Sequence, residues 1–98
     1  ANPDQAIIER ALAYIPKVRR WRMDKVNDIN DCGETGKYVI VGPKKEHVYY
    51  ADDLEFPEIY VPGCLAFSDA PMPEVYYSEG TDPRQGSTNW RKLNLHAT

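Results

Sequence analysis

Apolar residues recur at a helical interval near the start of the chain. Ile8 and Leu12 lie four residues apart, and Ile7, Ala11 and Ile15 repeat at the same spacing. This spacing places the five side chains on one face of a helix. We therefore predict an amphipathic helix within the first fifteen residues.

Start and stop signals define the limits of this predicted helix. Asn2 is a favourable N-cap, and Pro3 follows it at a position where the missing N–H costs nothing. Gln5, three residues after Asn2, completes a pattern that resembles a capping box. Pro16 predicts the end, because the residue before a proline avoids helical backbone angles. The helix is therefore predicted over residues 2–15.

Residues 18–26 fit a strand better than a continued helix. Trp21 and Met23 alternate with charged residues, which is typical of a strand with one charged face. A helix would instead need an apolar face through Val18 and Trp21, and this fits the pattern less well. We therefore predict a strand here, followed by a turn-rich loop over residues 27–36.

Short runs of β-branched and aromatic residues follow, separated by glycine, proline and Asx turns. They predict strands at residues 37–42, 47–51, 58–62, 75–78 and 90–96. Pro57 and Pro62 either confine the third of these strands to a sheet edge or make it short. Residues 63–73, whose first half is apolar, and residues 79–89 are predicted to be loops.

This order of elements predicts an α+β fold. Parallel strands need long crossovers, and the sequence shows no second helix that could supply them. We therefore expect one N-terminal helix packed on an antiparallel sheet of five or six short strands. The 98 residues fit a single globular domain.

The distribution of charge bears on possible partners. The chain carries a net charge of −3, but residues 17–25 alone carry +4, which leaves −7 for the rest. An acidic body disfavours nucleic acid and anionic lipid, which need a broad positive surface. No apolar run approaches the roughly 18 residues of a spanning helix. We expect a soluble domain, and Ala1 at the first position is compatible with either a cytoplasmic or a secreted or periplasmic protein.

Two segments resemble ligand-binding loops without matching them. Residues 33–37 (GETGK) resemble a phosphate loop, but the spacing of the first glycine differs and the segment leads into a predicted strand. Residues 28–34 resemble the start of a calcium loop, but its twelfth position falls on Val39, which has no side-chain oxygen. Both segments are interpreted as turns.

The cysteines and histidines do not form a recognisable catalytic or metal motif. Cys32 and Cys64 either pair in a disulfide or remain partly buried thiols. His47 and His96 lack the spacing that a zinc site or a Cys–His catalytic pair would require. We assign no catalytic residue, no metal ligand and no cofactor.

The basic segment 17–25 contains Arg19, Arg20 and Arg22 around Trp21. Arginine beside an aromatic ring suits phosphate contact and base stacking. The favoured interpretation is instead the solvent face of a strand, with Trp21 and Met23 directed into the core. The alternatives are an acidic protein partner and, less favoured, a nucleic acid.

Two tyrosine doublets, Tyr49–Tyr50 and Tyr76–Tyr77, lie in predicted strands. Adjacent strand residues face opposite sides of a sheet, so one tyrosine of each doublet should enter the core. The outer tyrosines, together with Trp90, could either form an interaction surface or simply decorate the exposed sheet. Tyrosine and tryptophan are enriched at interaction hot spots, which is the argument for the first alternative, and the sequence leaves both open.

Acidic residues border this aromatic region. Asp52, Asp53 and Glu55 follow the first doublet directly. They form the expected rim of a surface for a protein partner, although acidic loop residues also serve solubility.

The leading hypothesis is a non-enzymatic protein-binding domain, such as an inhibitor, an immunity-type protein or an accessory subunit. Its binding residues are predicted to be Tyr49, Tyr50, Tyr76, Tyr77, Trp90, Asp52, Asp53 and Glu55. The alternative is a small hydrolase or nuclease that uses His47 or His96 with carboxylates and arginines. The sequence leaves the oligomeric state open.

Overall fold

The computed structural model describes residues 4–27, 37–44, 48–69 and 73–95. One long helix, α1 (Gln5–Asn27), precedes five strands. The strands are β1 (Tyr38–Val41), β2 (Val48–Ala51), β3 (Leu65–Ser68), β4 (Val75–Glu79) and β5 (Asn89–Lys92), with a short 3₁₀ helix (Pro57–Ile59) between β2 and β3. This arrangement confirms the predicted α+β fold.

The strands form one antiparallel sheet in the order β2-β1-β3-β4-β5. The central strands β1 and β3 are the most apolar, and residues 39–41 and 65–67 are fully buried. Because both faces of these strands are covered, their sequences are continuous apolar runs rather than alternating ones.

The helix continues through Pro16, so two predictions about the N-terminal region were wrong. It does not end at residue 15, and residues 18–26 are helical rather than a strand. Ala11 and Val18 are buried against the sheet, and Trp21 packs beside them. Full burial of a valine such as Val18 contributes about 1.5–3 kcal/mol, and together these contacts offset the cost of about 3 kcal/mol for a proline inside a helix.

Two predictions about the residues around β3 were also wrong. Residues 58–62 do not form a strand, because Pro57 starts a 3₁₀ turn and the apolar side chains of Ile59 and Val61 face solvent. Residues 63–73 are not all loop, since their apolar first half is strand β3. The predicted strand 90–96 is shorter and begins earlier, as β5.

Each face of the sheet carries its own apolar cluster. The helix covers one face, where Phe67, Leu65 and Val75 are fully buried. On the face turned away from α1, Ile40, Cys64 and Ala66 are buried. We call this second side the open face, and it carries the candidate site.

Candidate interaction surface

The two tyrosine doublets divide between the faces of the sheet. Tyr50 and Tyr77 pack against the cluster beneath the helix. Tyr76 packs against the cluster of the open face, where the ring of Tyr49 also lies. This division follows from the alternation of side chains along a strand. Only Tyr49 and Tyr76 can therefore contribute to a surface on the open face.

Aromatic rings extend across the open face in edge-to-face contacts. The ring of Tyr60 lies 6.1 Å from that of Tyr49 and 5.6 Å from that of Trp90, measured between centroids. The rings of Tyr38 and Tyr76 meet at 6.2 Å. Such pairs contribute about 0.5–1.5 kcal/mol beyond simple burial. The rings therefore help to fix the chain segment that brings Tyr60 over the sheet.

That segment, residues 52–62, crosses the open face between β2 and β3, and hydrogen bonds hold its end in place. The carbonyl of Tyr60 accepts bonds from the backbone N–H and the hydroxyl of Ser87, at 2.8 and 2.9 Å. The carbonyl of Val61 accepts a bond at 3.1 Å from the hydroxyl of Ser78, which is fully buried. Residues 60 and 61 are thus attached to β4 and to the loop that follows it.

A glycine allows this loop to approach the 3₁₀ helix closely. Gly86 has a φ of +77°, and a Cβ atom at this position would lie only 2.0 Å from the carbonyl oxygen of Glu58. Any other residue would have to move one of the two backbones. The close approach of Gly86 to Glu58 therefore fixes one wall of the surface described next.

Beside the 3₁₀ helix lies an open groove of about 620 Å³. Apolar and aromatic side chains dominate its lining, and Lys44 supplies its cation. The lining residues are Gly42, Pro43, Lys44, Tyr49, Ile59, Tyr60, Val61 and Cys64. This volume is within the range of ordinary ligand and anchor pockets.

Large apolar side chains around the groove are unusually exposed. The exposed fractions are 70% for Ile59, 53% for Phe56, 47% for Tyr49 and 43% for Val61. Within the described residues, these are four of the six exposed large apolar side chains, and the other two, Leu12 and Met23, lie on the helix. Exposed apolar side chains concentrated in one segment are typical of an interaction site.

Carboxylates accompany these apolar side chains. Asp52, Asp53, Glu55 and Glu58 are all exposed. One oxygen of Asp53 accepts a bond from the backbone N–H of Glu55 at 3.1 Å, which fixes the turn. Burial raises the pKa of the Tyr60 hydroxyl, and the nearby charges of Cys64 and Asp53 raise it further. The carboxylates thus lie in the same chain segment as the exposed apolar side chains.

The thiol at the base of the groove is not activated as a nucleophile. Cys64 is a free, buried cysteine whose Sγ donates to the carbonyl of Val61 at 3.3 Å. Burial raises its pKa, outweighing the opposing effects of Ser78 and Arg10. A thiol of this kind is a packing group rather than a reactive one. Cys32 lies outside the described residues.

At the other end of the open face, polar side chains bond to one another. The hydroxyl of Tyr76 donates to Glu74 at 2.9 Å, and the ammonium of Lys92 lies 3.2 Å from the same carboxylate. These bonds hold the pKa of Glu74 below its usual value and raise that of Tyr76. The side chains of Glu74, Tyr76 and Lys92 thus bond to one another at this end of the sheet.

The basic segment 17–25 lies on the helix and not on a strand. Arg22 donates to the carbonyls of Lys37 and Phe67 at 3.1 and 3.2 Å, so its guanidinium serves to hold the sheet. Trp21 faces the core, as expected, but Met23 is 67% exposed, contrary to the prediction. Helical spacing, rather than strand alternation, accounts for both positions.

The structure brings together only part of the predicted binding set. Tyr49 lines the groove, Asp52, Asp53 and Glu55 lie in the segment that follows it, and Trp90 supports Tyr60. Tyr50 and Tyr77 are on the other face, and Tyr76 is at the polar end. The prediction omitted Ile59, Val61 and Pro43 from the surface. The prolines at 57 and 62 were the available signal, because they argue against pairing of this segment in the sheet.

No three metal-ligating side chains come together within residues 4–27, 37–44, 48–69 and 73–95. His47 and His96, the centre of the enzyme hypothesis, lie outside the described residues. No helix in the described part of the chain is long and apolar enough to cross a bilayer.

Comparison with known proteins adds no relationship: no family model matches the chain, and neither does any curated protein or solved structure.

Proposed function

We propose that this chain is a non-enzymatic protein-binding domain and that its partner docks on the groove between Tyr49 and the 3₁₀ helix. The supporting observation is the concentration of exposed apolar side chains in residues 49–61, with Ile59 at 70% exposure. Water contact at these side chains is unfavourable, and a docked partner would remove it. Aromatic and aliphatic anchors of this kind supply most of the energy in protein interfaces.

The rigidity of the groove also supports this proposal. The middle and the C-terminal end of the 3₁₀ region are held: Gly86 packs against Glu58, and Ser87 bonds to the carbonyl of Tyr60. A surface that is already ordered loses little conformational entropy when a partner binds. The partner would therefore meet a preformed surface rather than an ordering loop.

A capture experiment with three proteins tests the proposal. The tagged wild-type chain, Ile59→Glu and Met23→Glu are incubated with lysate of the source organism, and eluates are weighed by native mass spectrometry. Ile59 and Met23 are similarly exposed, at 70% and 67%, so both variants should keep wild-type stability. Urea unfolding and circular dichroism check this.

We expect a stoichiometric partner with the wild-type chain and Met23→Glu, and its loss with Ile59→Glu. A charge placed in a desolvated interface typically costs several kcal/mol. The proposal would be refuted if Ile59→Glu retained the partner as well as the wild-type chain does, or if no stoichiometric partner were found.

A further inference from the structure

The charge around the groove identifies the kind of partner that would fit it. We infer that the groove receives a protein segment that places one apolar side chain between lysines or arginines. This inference rests on the proposed function, and it adds the chemistry of the partner. The charge, the shape and the rigidity of the surface support it.

Carboxylates dominate the charge at this surface. The groove lining and the segment following Tyr49 contribute four carboxylates, and Lys44 contributes the opposing ammonium, which leaves a net charge of −3. Arg10 also lies nearby, and its guanidinium donates to the carbonyls of Gly42 and Gly63. These carbonyls are neutral, so the charge of Arg10 also acts at the groove, and the net charge with Arg10 included is −2. A basic segment would complement this local field.

The shape of the groove accounts for the apolar part of the partner. About 620 Å³ is enough for a large aliphatic or aromatic side chain and part of its backbone. The rings of Tyr49 and Tyr60 provide two walls, and Ile59 and Val61 form the lip. Lysines or arginines on either side of the partner's apolar side chain would then reach the exposed carboxylates. Their methylene groups would cover Ile59 and Val61.

A second copy of the chain is a weaker candidate for this role. Six of its twelve lysines and arginines belong to helix α1, and among these Lys17 and Arg22 have partners within the same chain. Lys17 stands 5.3 Å above the ring of Tyr14, and Arg22 donates to two carbonyls and lies 3.8 Å from Asp69. Such residues would have to leave these contacts in order to reach another molecule.

A displayed library of random twelve-residue peptides, selected on the full chain, tests the inference. Ile59→Glu serves in counter-selection, so that the retained peptides are those that need the groove. The best peptide is synthesised with a fluorophore, and its Kd is measured by anisotropy at 50 mM and 1 M NaCl. Sedimentation of the chain alone reports self-association.

Two double variants distinguish the effect of the charges beside the groove from the effect of the total charge of the protein. The first is Asp52→Asn with Asp53→Asn, in which the asparagine oxygen can still accept the bond from Glu55. The second is Asp24→Asn with Asp69→Asn, in which Asp24 belongs to the helix and Asp69 follows the end of β3 opposite the groove. Both raise the net charge by two, but only the first changes the acidic border of the groove.

We expect the retained peptides to share an apolar residue flanked by lysine or arginine. The first variant should weaken binding about tenfold at 50 mM NaCl, and less than about twofold at 1 M, where screening acts within roughly 3 Å. The second variant should change Kd by less than about twofold at either salt concentration.

Other outcomes are informative in different ways. Neutral or acidic peptides that still need Ile59 would overturn the basic partner and leave a protein-binding groove. A dimer that forms through Ile59 would show that a second copy is the occupant, and would also overturn it. If no peptide depends on Ile59, this inference fails, whereas the capture experiment separately decides the proposed function.

Discussion

Gly86 determines how closely two chain segments approach at the candidate site. Its positive φ is unfavourable for residues with a side chain, and its α-carbon faces the backbone of Glu58. The adjacent Ser87 then reaches the carbonyl of Tyr60 with both its N–H and its hydroxyl. One glycine thus positions the tyrosine that forms a wall of the groove.

Replacement of this glycine should damage both stability and the groove. We expect Gly86→Ala to lower the free energy of unfolding by about 1–3 kcal/mol, because alanine is strained at positive φ. Displacement of Glu58 should also break the Ser87–Tyr60 bonds. Urea unfolding measures the first effect, and hydrogen exchange of the Ser87 amide measures the second.

Gln85→Ala is the control for this experiment, since Gln85 is an exposed residue of the same loop. Its unfolding free energy should stay within about 0.5 kcal/mol of wild type. If hydrogen exchange of the Ser87 amide were unchanged in Gly86→Ala, the groove would not depend on the close approach of Gly86 to Glu58.

Individual site residues were predictable where strand alternation applied. The doublet Tyr49–Tyr50 divides between the two faces as expected, because it lies in a regular strand. Ile59 and Val61 were not predictable in this way, since their own alternation imitates a strand that does not form. Their exposure depends on Gly86 and Ser87, which lie more than twenty residues away in the sequence.

The helix shows how tertiary packing overrides a local stop signal. Ile7, Ala11, Tyr14, Val18 and Trp21 are spaced by four and three residues, so they form one face across the proline. The prediction relied on Pro16 and on the alternation around Trp21, and both are local features. Strand β3 was missed for a related reason, because burial on both faces removes the alternation that marks a strand.

Removal of the proline should therefore stabilise the helix. Pro16 is exposed and lies inside α1, where it lacks the N–H that would bond to the carbonyl of Leu12. We expect Pro16→Ala to raise the free energy of unfolding by up to about 3 kcal/mol, measured by urea unfolding. Arg20→Ala, at another exposed position of the helix, should change it by less than about 0.5 kcal/mol.

A decrease in stability with Pro16→Ala would contradict this expectation. It would mean that the two halves of the helix pack on the sheet only when the proline bends the axis between them.

Across the molecule, the sheet separates two surfaces with different roles. The helix closes one face, and the residues that contact it are mainly apolar. Segment 52–62 covers part of the other face with a few bonded residues, which leaves the groove beside it. The general α+β arrangement was predictable because it depends on the apolar pattern of whole elements. The groove was not, because it depends on contacts between loops that are distant in sequence.

An ion pair joins the two ends of the described chain. Arg91 in β5 donates to both oxygens of Asp4, at 2.7 and 2.9 Å, just before the helix starts. Its Nε also bonds to Glu79 at 2.8 Å. The hydrogen bond from Arg91 holds the pKa of Asp4 below its usual value, and bonds from Asn89 and Arg91 do the same for Glu79.

This ion pair predicts a specific dependence of stability on pH. A carboxyl whose pKa is lower in the folded state stabilises the fold above its unfolded pKa, here 3.8 for Asp4 and 4.5 for Glu79. The stabilisation is lost as the pH falls through the folded value. Arg91→Met should therefore be less stable than wild type at pH 7, and the difference should shrink as both carboxyls become protonated. Thermal unfolding followed by circular dichroism from pH 7 to pH 2 measures it.

Arg84→Met is the matched control, because Arg84 is an exposed arginine of the loop before β5. It removes the same charge, so any general effect of net charge on acid stability appears in both variants. The difference in thermal stability between Arg91→Met and Arg84→Met should be largest at neutral pH and smallest near pH 2. A gap between Arg91→Met and Arg84→Met that stays constant down to pH 2 would contradict the prediction. It would show that Arg91 stabilises the fold through its packing over Tyr77, 5.9 Å away, rather than through the carboxylates.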